Sequence, residues 1–198
     1  MYSSQLSTLK LNLPSQEEQT KIANFLTSVD EKLNLLKEKK SLLEDYKKGI
    51  MQKIFNQEIR FKDENGEDFE DWEEKTIAEI CNKIQSGGTP KSTNKDYYDG
   101  NIPFLSIADM TKQGKYIEYT SNSISEDGLK NSSTWIVPVN SIIYSMYASV
   151  GFVAINKIPI ATSQAVLNLI LKQDICIDYI YYFLLDFQKY LAEYITTG

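Results

Sequence analysis

The side chains that could support chemistry are two cysteines, 27 acids and 21 bases, and the chain contains no histidine. Histidine is the usual general base and the commonest metal ligand, so its absence excludes Ser-His-Asp and Cys-His catalysis and most zinc sites. Cys81 and Cys176 have no neighbours at metal-ligand spacing, so we predict two reduced thiols. Carboxylate or lysine chemistry stays open, although no paired-carboxylate motif stands out.

Motifs that bind nucleotides are also missing. The sequence contains neither a GxxxxGK[ST] phosphate loop nor a GxGxxG turn. It also lacks the Asn/Asp-Pro-Pro-Phe/Tyr motif of DNA methyltransferases. These absences predict a chain that binds a partner and is not itself an enzyme.

Size and charge limit the class of protein further. With 198 residues, 42% of them hydrophobic, the chain can form one domain with an appendage or two small domains. The net charge of −6 argues against a protein that simply coats DNA. No apolar run is long enough to span a membrane, and the first 14 residues do not resemble a signal peptide. We therefore expect a cytoplasmic protein without membrane contact.

A long helix with a repeating apolar seam is the clearest structural signal. Ser15 and Glu18 form a capping-box pattern, which predicts a helix over residues 16–56 that is roughly 60 Å long. Such a helix cannot bury its seam against itself, so it needs a partner helix. Lys40 and Lys47 interrupt the seam and can set the register of pairing. The apolar seam residues, spaced mostly by four and three, are Ile22, Leu26, Val29, Leu33, Leu36, Leu43, Ile50 and Ile54.

The rest of the chain divides into an acidic connector and a β-rich domain. Residues 59–76 hold eight acids and three bases, and we expect a turn at Glu64-Asn65-Gly66. Residues 77–198 hold nine lysines, eleven acids and no arginine. Their alternating apolar patterns predict strands at 102–107, 116–119, 134–137, 141–146, 152–155 and 166–171, then a helix at 178–194 with Asp178 as its N-cap. The predicted fold class is α+β: a β-rich domain attached to one long heptad, coiled-coil helix.

An ordered set of short motifs resembles the DNA-specificity (S) subunit of type I restriction–modification systems. Residues 13–33 are similar to the segment that leads from a recognition domain into a spacer helix, and residues 48–55 are similar to the end of that helix. Each motif alone is weak, but the ordered set covers nearly the whole chain. The segments that resemble a target recognition domain are Trp72, GGTP at 87–90, YYDGNIPFL at 97–105, residues 124–129 and 132–133, IVP at 136–138, GFVAI at 151–155 and ATSQA at 161–165.

The resemblance implies a function and a set of partners. In this family the S subunit contacts a split DNA target, and two antiparallel helices hold two recognition domains a fixed distance apart. Methyltransferase (M) subunits bind S-adenosylmethionine, and restriction (R) subunits hydrolyse ATP with magnesium and cut DNA. The resemblance therefore implies a non-catalytic chain without its own cofactor or metal.

The chain departs from the family in its order of segments. A complete S subunit has two recognition domains and two helices, whereas this chain has one of each, at residues 77–198 and 15–58. Residues 3–14 resemble the segment that follows a recognition domain ending like residues 195–198. We expect either a circularly permuted half-subunit or a fragment of a longer gene. In the first case, residues 1–14 complete the domain of a partner chain in an antiparallel homodimer that favours a palindromic split target.

Four polar segments of the domain are candidates for DNA contact if the family resemblance holds. Lysines would meet phosphates, while hydroxyl, amide and tyrosine side chains would contact base edges. Since the domain has no arginine, we expect its own affinity for DNA to be modest. The candidate residues are Gly88, Thr89, Lys91, Ser92, Thr93, Lys95, Tyr97 and Tyr98, then Ser106, Asp109 and Lys112, then Ser145, Tyr147 and Ser149, and finally Gln164.

Two other functions stay open. In one, the helix dimerises and the β-rich domain binds another protein, without sequence-selective DNA binding. In the other, the chain is a stand-alone methyltransferase or nuclease, which the missing histidine and missing methyltransferase motif oppose.

Overall fold

The computed structural model describes residues 6–147 and 150–191, which divide at Ile50 into two compact units. Helix α1, Gln16–Phe55, begins where the sequence predicts, and the Ser15 hydroxyl accepts a hydrogen bond from the Glu18 amide at 3.3 Å. None of the 40 residues of α1 is buried. Its apolar side chains therefore remain available for a partner. No helix in the described part of the chain is long and apolar enough to cross a membrane.

A five-stranded sheet forms the centre of the second unit. All neighbouring strands in it are antiparallel except the last pair. In spatial order its strands are β1 (Cys81–Ser86), β8 (Val166–Leu171), β5 (Ile142–Ser145), β6 (Val153–Asn156) and β3 (Tyr116–Ile117).

A three-stranded sheet contributes the remaining strands. Its order is β4 (Asn122–Ile124), β2 (Tyr98–Leu105) and β7 (Ala161–Thr162), and β2 runs parallel to β7. This parallel pair matters for the site, because segments that follow two parallel strands leave a sheet at the same edge.

Short helices connect the strands and close the core. Helices α2 (Ile77–Ile80), α3 (Ile107–Gln113) and α4 (Glu126–Lys130) each begin with a hydroxyl side chain as N-cap. Helix α5, Ile177–Phe187, packs Ile180, Tyr181 and Leu184 against the large sheet. A second apolar cluster includes Leu105, Met110, Ile117, Val137, Ile143 and Ile160.

The structure confirms five of the six predicted strands in whole or in part. The strand expected at 134–137 does not form; only Val137 makes an isolated bridge, to Ile160. In its place, the Thr134 and Trp135 side chains donate hydrogen bonds to backbone carbonyls of other segments. The strand expected at 116–119 ends at Ile117, and strand β1 was not predicted.

The C-terminal helix also differs from expectation. It begins at Ile177 with Cys176 as N-cap, and after Phe187 a 3-10 turn, Gln188–Tyr190, leads to Leu191, the last described residue, which is helical. Asp178 is the second residue inside the helix and not its cap, and its carboxylate forms an ion pair of 2.6 Å with Lys115. Residues 192–194 of the predicted helix lie outside the described residues. The predicted turn at 64–66 is confirmed, between bridged Lys62 and Asp68.

Candidate nucleic-acid interface

The turn between β7 and β8, residues 163–165, is where the predicted contact segments meet. Leu105 pairs with Thr162 in the parallel β2–β7 ladder, so the segments after both strands leave at one edge. Ser145 pairs with Val166, and the Met146 amide donates to the Ala165 carbonyl at 2.9 Å. The structure therefore brings segments distant in sequence to one end of the domain.

The two glycines at the start of the first segment run tightly beneath this turn. The Gly88 amide donates to the Thr162 carbonyl at 2.9 Å, and the Gly87 amide donates to the Val166 carbonyl at 3.2 Å. A Cβ atom at Gly87 would lie 1.9 Å from the Thr162 carbonyl oxygen, and one at Gly88 would lie 2.1 Å from the Ser133 hydroxyl. Only glycine fits at either position.

The loop that follows the glycines is fixed at its base and exposed at its tip. The Thr89 hydroxyl donates to the side-chain oxygen of Gln164 at 2.6 Å, and the Tyr98 hydroxyl donates to the Pro90 carbonyl at 2.6 Å. Between these anchors, Lys91, Ser92 and Thr93 are exposed. The loop thus presents a cation and two hydroxyls on a fixed base.

Four residues that were not predicted from the sequence stabilise the turn and the glycine segment through hydrogen bonds. The buried Asn168 amide donates to the Thr162 hydroxyl at 2.8 Å and to the Gln85 carbonyl at 3.0 Å. The Thr134 hydroxyl donates to the Thr162 carbonyl at 2.8 Å, and the Trp135 indole donates to the Ser86 carbonyl at 3.2 Å. The sequence signal that could have identified this support is Asn168, a polar residue within the apolar run of β8.

Three predicted contact residues are buried, which corrects their assignment. Gly88 lies under the turn, and Ser145 is fully buried in β5. Asp109 is 2% exposed and forms a capping box with Ser106 at the start of α3. Its other oxygen accepts hydrogen bonds from the amide and hydroxyl of Ser121. Since both of its oxygens are occupied by the protein, Asp109 positions α3 and the 119–121 loop.

The remaining predicted residues divide by exposure. Tyr97 and Tyr98 are half-buried, as is the helix cap Ser106. Lys112 is exposed in the last turn of α3, about 9 Å along the helix from Ser106. Ser149 lies outside the described residues. The exposed set is Thr89, Lys91, Ser92, Thr93, Lys95, Lys112, Tyr147 and Gln164.

This surface suits recognition of a polar polymer. Among the described residues, no three cysteine, aspartate or glutamate side chains are grouped so that they could hold a metal ion. The exposed set instead offers three ammonium groups together with hydroxyl and amide groups. Ammonium groups pair with phosphates, and amides and hydroxyls form hydrogen bonds with base edges.

Comparison with known proteins identifies one family. A family model described as the type I restriction modification DNA specificity domain matches residues 1–45 and 69–197. The chain is 33% identical over 143 residues to the MjaIX specificity subunit of Methanocaldococcus jannaschii, which covers 71% of this chain and 32% of the relative. It is 30% identical over 129 residues to the HindI specificity subunit of Haemophilus influenzae, covering 64% and 28%. The chain thus spans about a third of the length of these relatives.

A solved structure has a similar fold. The HsdS subunit from Thermoanaerobacter tengcongensis superposes with a TM-score of 0.55 at 18% identity, over 90% of this chain and 43% of that one.

Proposed function

Because the chain belongs to the family of type I restriction modification DNA specificity domains, we propose that it recognises a specific DNA sequence as part of a specificity subunit. The observation that carries this proposal is the meeting of three polar segments around a fourth, the turn at residues 163–165. Buried hydrogen bonds and the two glycines give that surface a fixed shape. A fixed shape is what discrimination between bases requires.

The exposed residues divide by the part of DNA they suit. Lys91, Lys95 and Lys112 are assigned to phosphates, which set affinity and register. Thr89 and Gln164 are assigned to base edges, since a glutamine amide can pair with adenine through two hydrogen bonds. The loop containing Ser92 and Thr93, and the exposed Tyr147, complete the surface.

The chain recognises DNA and leaves the chemistry to other subunits. Methyltransferase subunits carry S-adenosylmethionine, and restriction subunits carry ATP and magnesium. These subunits also supply phosphate contacts that this arginine-free domain lacks. The domains are the helix at 15–58, the acidic connector at 59–76 and the recognition domain at 77–198.

The exposed apolar seam of α1 pairs with a second helix as an antiparallel coiled coil. The seam residues from Ile22 to Leu43 are 41–57% exposed in the chain alone. Within α1, residues 16–34 hold two lysines and four acids, while residues 35–55 hold six lysines and three acids. An antiparallel pair places the net charge of −2 against +3, whereas a parallel pair places like charges together. The partner helix is that of a second copy, in a homodimer whose residues 1–14 are exchanged.

Site selection from a randomised duplex library tests the proposal. The chain is assembled with its methyltransferase subunits, and bound DNA is sequenced. Two inverted identical half-sites at fixed spacing are the expected result. Two unlike half-sites would exclude the homodimer while retaining DNA recognition. Failure to enrich any sequence would overturn DNA recognition itself.

A further inference from the structure

An apolar groove of about 510 Å³ lies at the C-terminal end of α1. Aromatic rings from three segments form its walls: Phe55 of α1, Trp72 of the connector, and Tyr179 and Phe183 of α5. The Phe55 ring lies 5.7 Å from both α5 rings, and the Trp72 ring lies 6.3 Å from Tyr179, all edge to face. The rings therefore form one wall with defined geometry.

The groove is open and adjoins a smaller cleft. Trp72, Tyr179 and Phe183 remain 38–43% exposed. A smaller cleft of about 220 Å³ shares Trp72 and is lined by Ile54, the last seam residue, and by Phe61. An exposed apolar surface of this kind on a folded domain marks an interaction site.

We propose that this groove receives residues 6–13 of a second copy of the chain. Four leucines of that segment, Leu6, Leu9, Leu11 and Leu13, are 61–71% exposed. In an extended segment, Leu9, Leu11 and Leu13 point to the same side, because side chains alternate along a strand. The segment thus presents an apolar edge that matches an apolar groove.

Charge also favours this occupant. The only charged side chain between residues 6 and 16 is Lys10. The groove is bordered by three acids, Glu73, Glu74 and Asp174, and by one base, Lys75. A neutral-to-basic segment therefore suits a groove with an acidic rim.

Helix length determines which copy supplies the segment. The 40 residues of α1 separate its two ends by about 60 Å. Residues 6–13 fully extended span at most about 28 Å, so they cannot reach from the start of their own helix to its end. In the antiparallel pair proposed above, on which this inference rests, the start of one α1 lies beside the end of the other. The partner's segment then lies at the groove.

Disulfide trapping tests the docking directly, because the groove contains a native probe. Cys176 is exposed and lines the groove, whereas Cys81 is buried. Under mild oxidation, Leu11→Cys should form a disulfide with Cys176 and give a covalent dimer of twice 22.7 kDa on a non-reducing gel. The matched control is Asn12→Cys on the opposite side of the segment, which should cross-link roughly tenfold more slowly because disulfide geometry is specific. Adding Cys176→Ser to Leu11→Cys should abolish the product.

Light scattering on the unoxidised Leu11→Cys protein distinguishes failure of the docking inference from failure of the proposed homodimer. A dimer that forms no Leu11→Cys to Cys176 disulfide would overturn the docking and leave helix pairing intact. An internal disulfide within one chain would overturn the exchange between copies. A monomeric mass would overturn the homodimer and the docking together, while site selection tests DNA recognition independently.

Discussion

The Thr89 hydroxyl donates a hydrogen bond of 2.6 Å to the side-chain oxygen of Gln164, across 75 residues of sequence. This contact joins the glycine loop to the turn between β7 and β8. This hydrogen bond also orients the Gln164 amide group. Because Thr89 binds the amide oxygen, the amide nitrogen points away from Thr89. The pair therefore forms the centre of the proposed DNA surface.

Gln164→Ala should relax base preference without unfolding the domain. Loss of a paired base contact costs about 1–3 kcal/mol, so affinity for the preferred duplex should fall roughly tenfold while binding to unrelated DNA changes little. Fluorescence anisotropy with a panel of single-base-pair variants, on the complex with methyltransferase subunits, measures both. The control is Gln173→Ala, an exposed glutamine beyond the far end of β8, a strand about 17 Å long. Equal losses on all sequences would argue against base contact by Gln164.

Lys91→Ala and Lys95→Ala should weaken binding equally on all sequences. Each lysine that neutralises a phosphate contributes about one counterion to the salt dependence, so each variant should lower the slope of log K against log salt by about 1. Binding measured from 50 to 200 mM salt gives the slopes. Lys172→Ala, at the far end of β8, should leave the slope unchanged. A slope that stays at the wild-type value in Lys91→Ala would remove that lysine from the interface.

Asp109→Asn should destabilise the fold by about 1–3 kcal/mol, because an amide cannot accept all the hydrogen bonds from Ser106 and Ser121. Burial raises the pKa of Asp109, but hydrogen bonds from Ser121 and Ser106 outweigh it and hold the pKa below its ordinary 3.8. The carboxylate therefore stabilises the fold above pH 3.8, and this contribution is lost as the pH falls through the lower folded value. Urea unfolding at pH 7 and pH 3 measures the difference from wild type.

The matched variant for Asp109 is Asp99→Asn. Asp99 is exposed and has a positive φ of 55°, a conformation that asparagine also tolerates. It should unfold like wild type at both pH values. If the deficit of Asp109→Asn persisted unchanged at low pH, the carboxylate charge would not be the source of the stability.

Gly87→Ala and Gly49→Ala should change stability in opposite directions. A methyl at Gly87 would lie 1.9 Å from the Thr162 carbonyl oxygen, so the loop must move at a cost of about 2 kcal/mol or more. Gly49 lies within α1 with nothing within 4 Å of an added Cβ, so alanine there should add about 1 kcal/mol of helix stability. Thermal unfolding followed by circular dichroism compares the two. A neutral Gly87→Ala would mean that the loop does not pass so close beneath the turn.

Leu33→Asp should dissociate the proposed homodimer. Leu33 belongs to the seam, where a buried carboxylate opposes pairing, whereas Leu35 is equally helical but lies outside the seam. Light scattering at several concentrations should give 22.7 kDa for Leu33→Asp and twice that mass for wild type and Leu35→Asp. A dimer insensitive to Leu33→Asp would use another surface.

The elements predicted well are those whose evidence is local. Helix α1 follows from a period of four and three residues and from Ser15 beside its first turn. The connector turn follows from Asn65 and Gly66. Strand β1 was not predicted, because its residues CNKIQS show little strand preference. Its pairing with β8 also joins residues about 85 positions apart in the sequence.

The sequence by itself determined the long helix with its seam, the mixed helix and strand composition and the family. The tertiary structure decided which polar residues in the four segments face solvent. Asp109 and Gln164 are both polar residues of such segments, yet one is buried and the other exposed. The physical reason is that burial and hydrogen bonding depend on residues that are distant in the sequence. The Ser121 hydroxyl donates a hydrogen bond to Asp109, and the Thr162 carbonyl accepts one from the Gly88 amide. No local sequence pattern contains those distant partners. Only the folded structure therefore distinguishes a buried structural side chain from an exposed one on the proposed DNA surface.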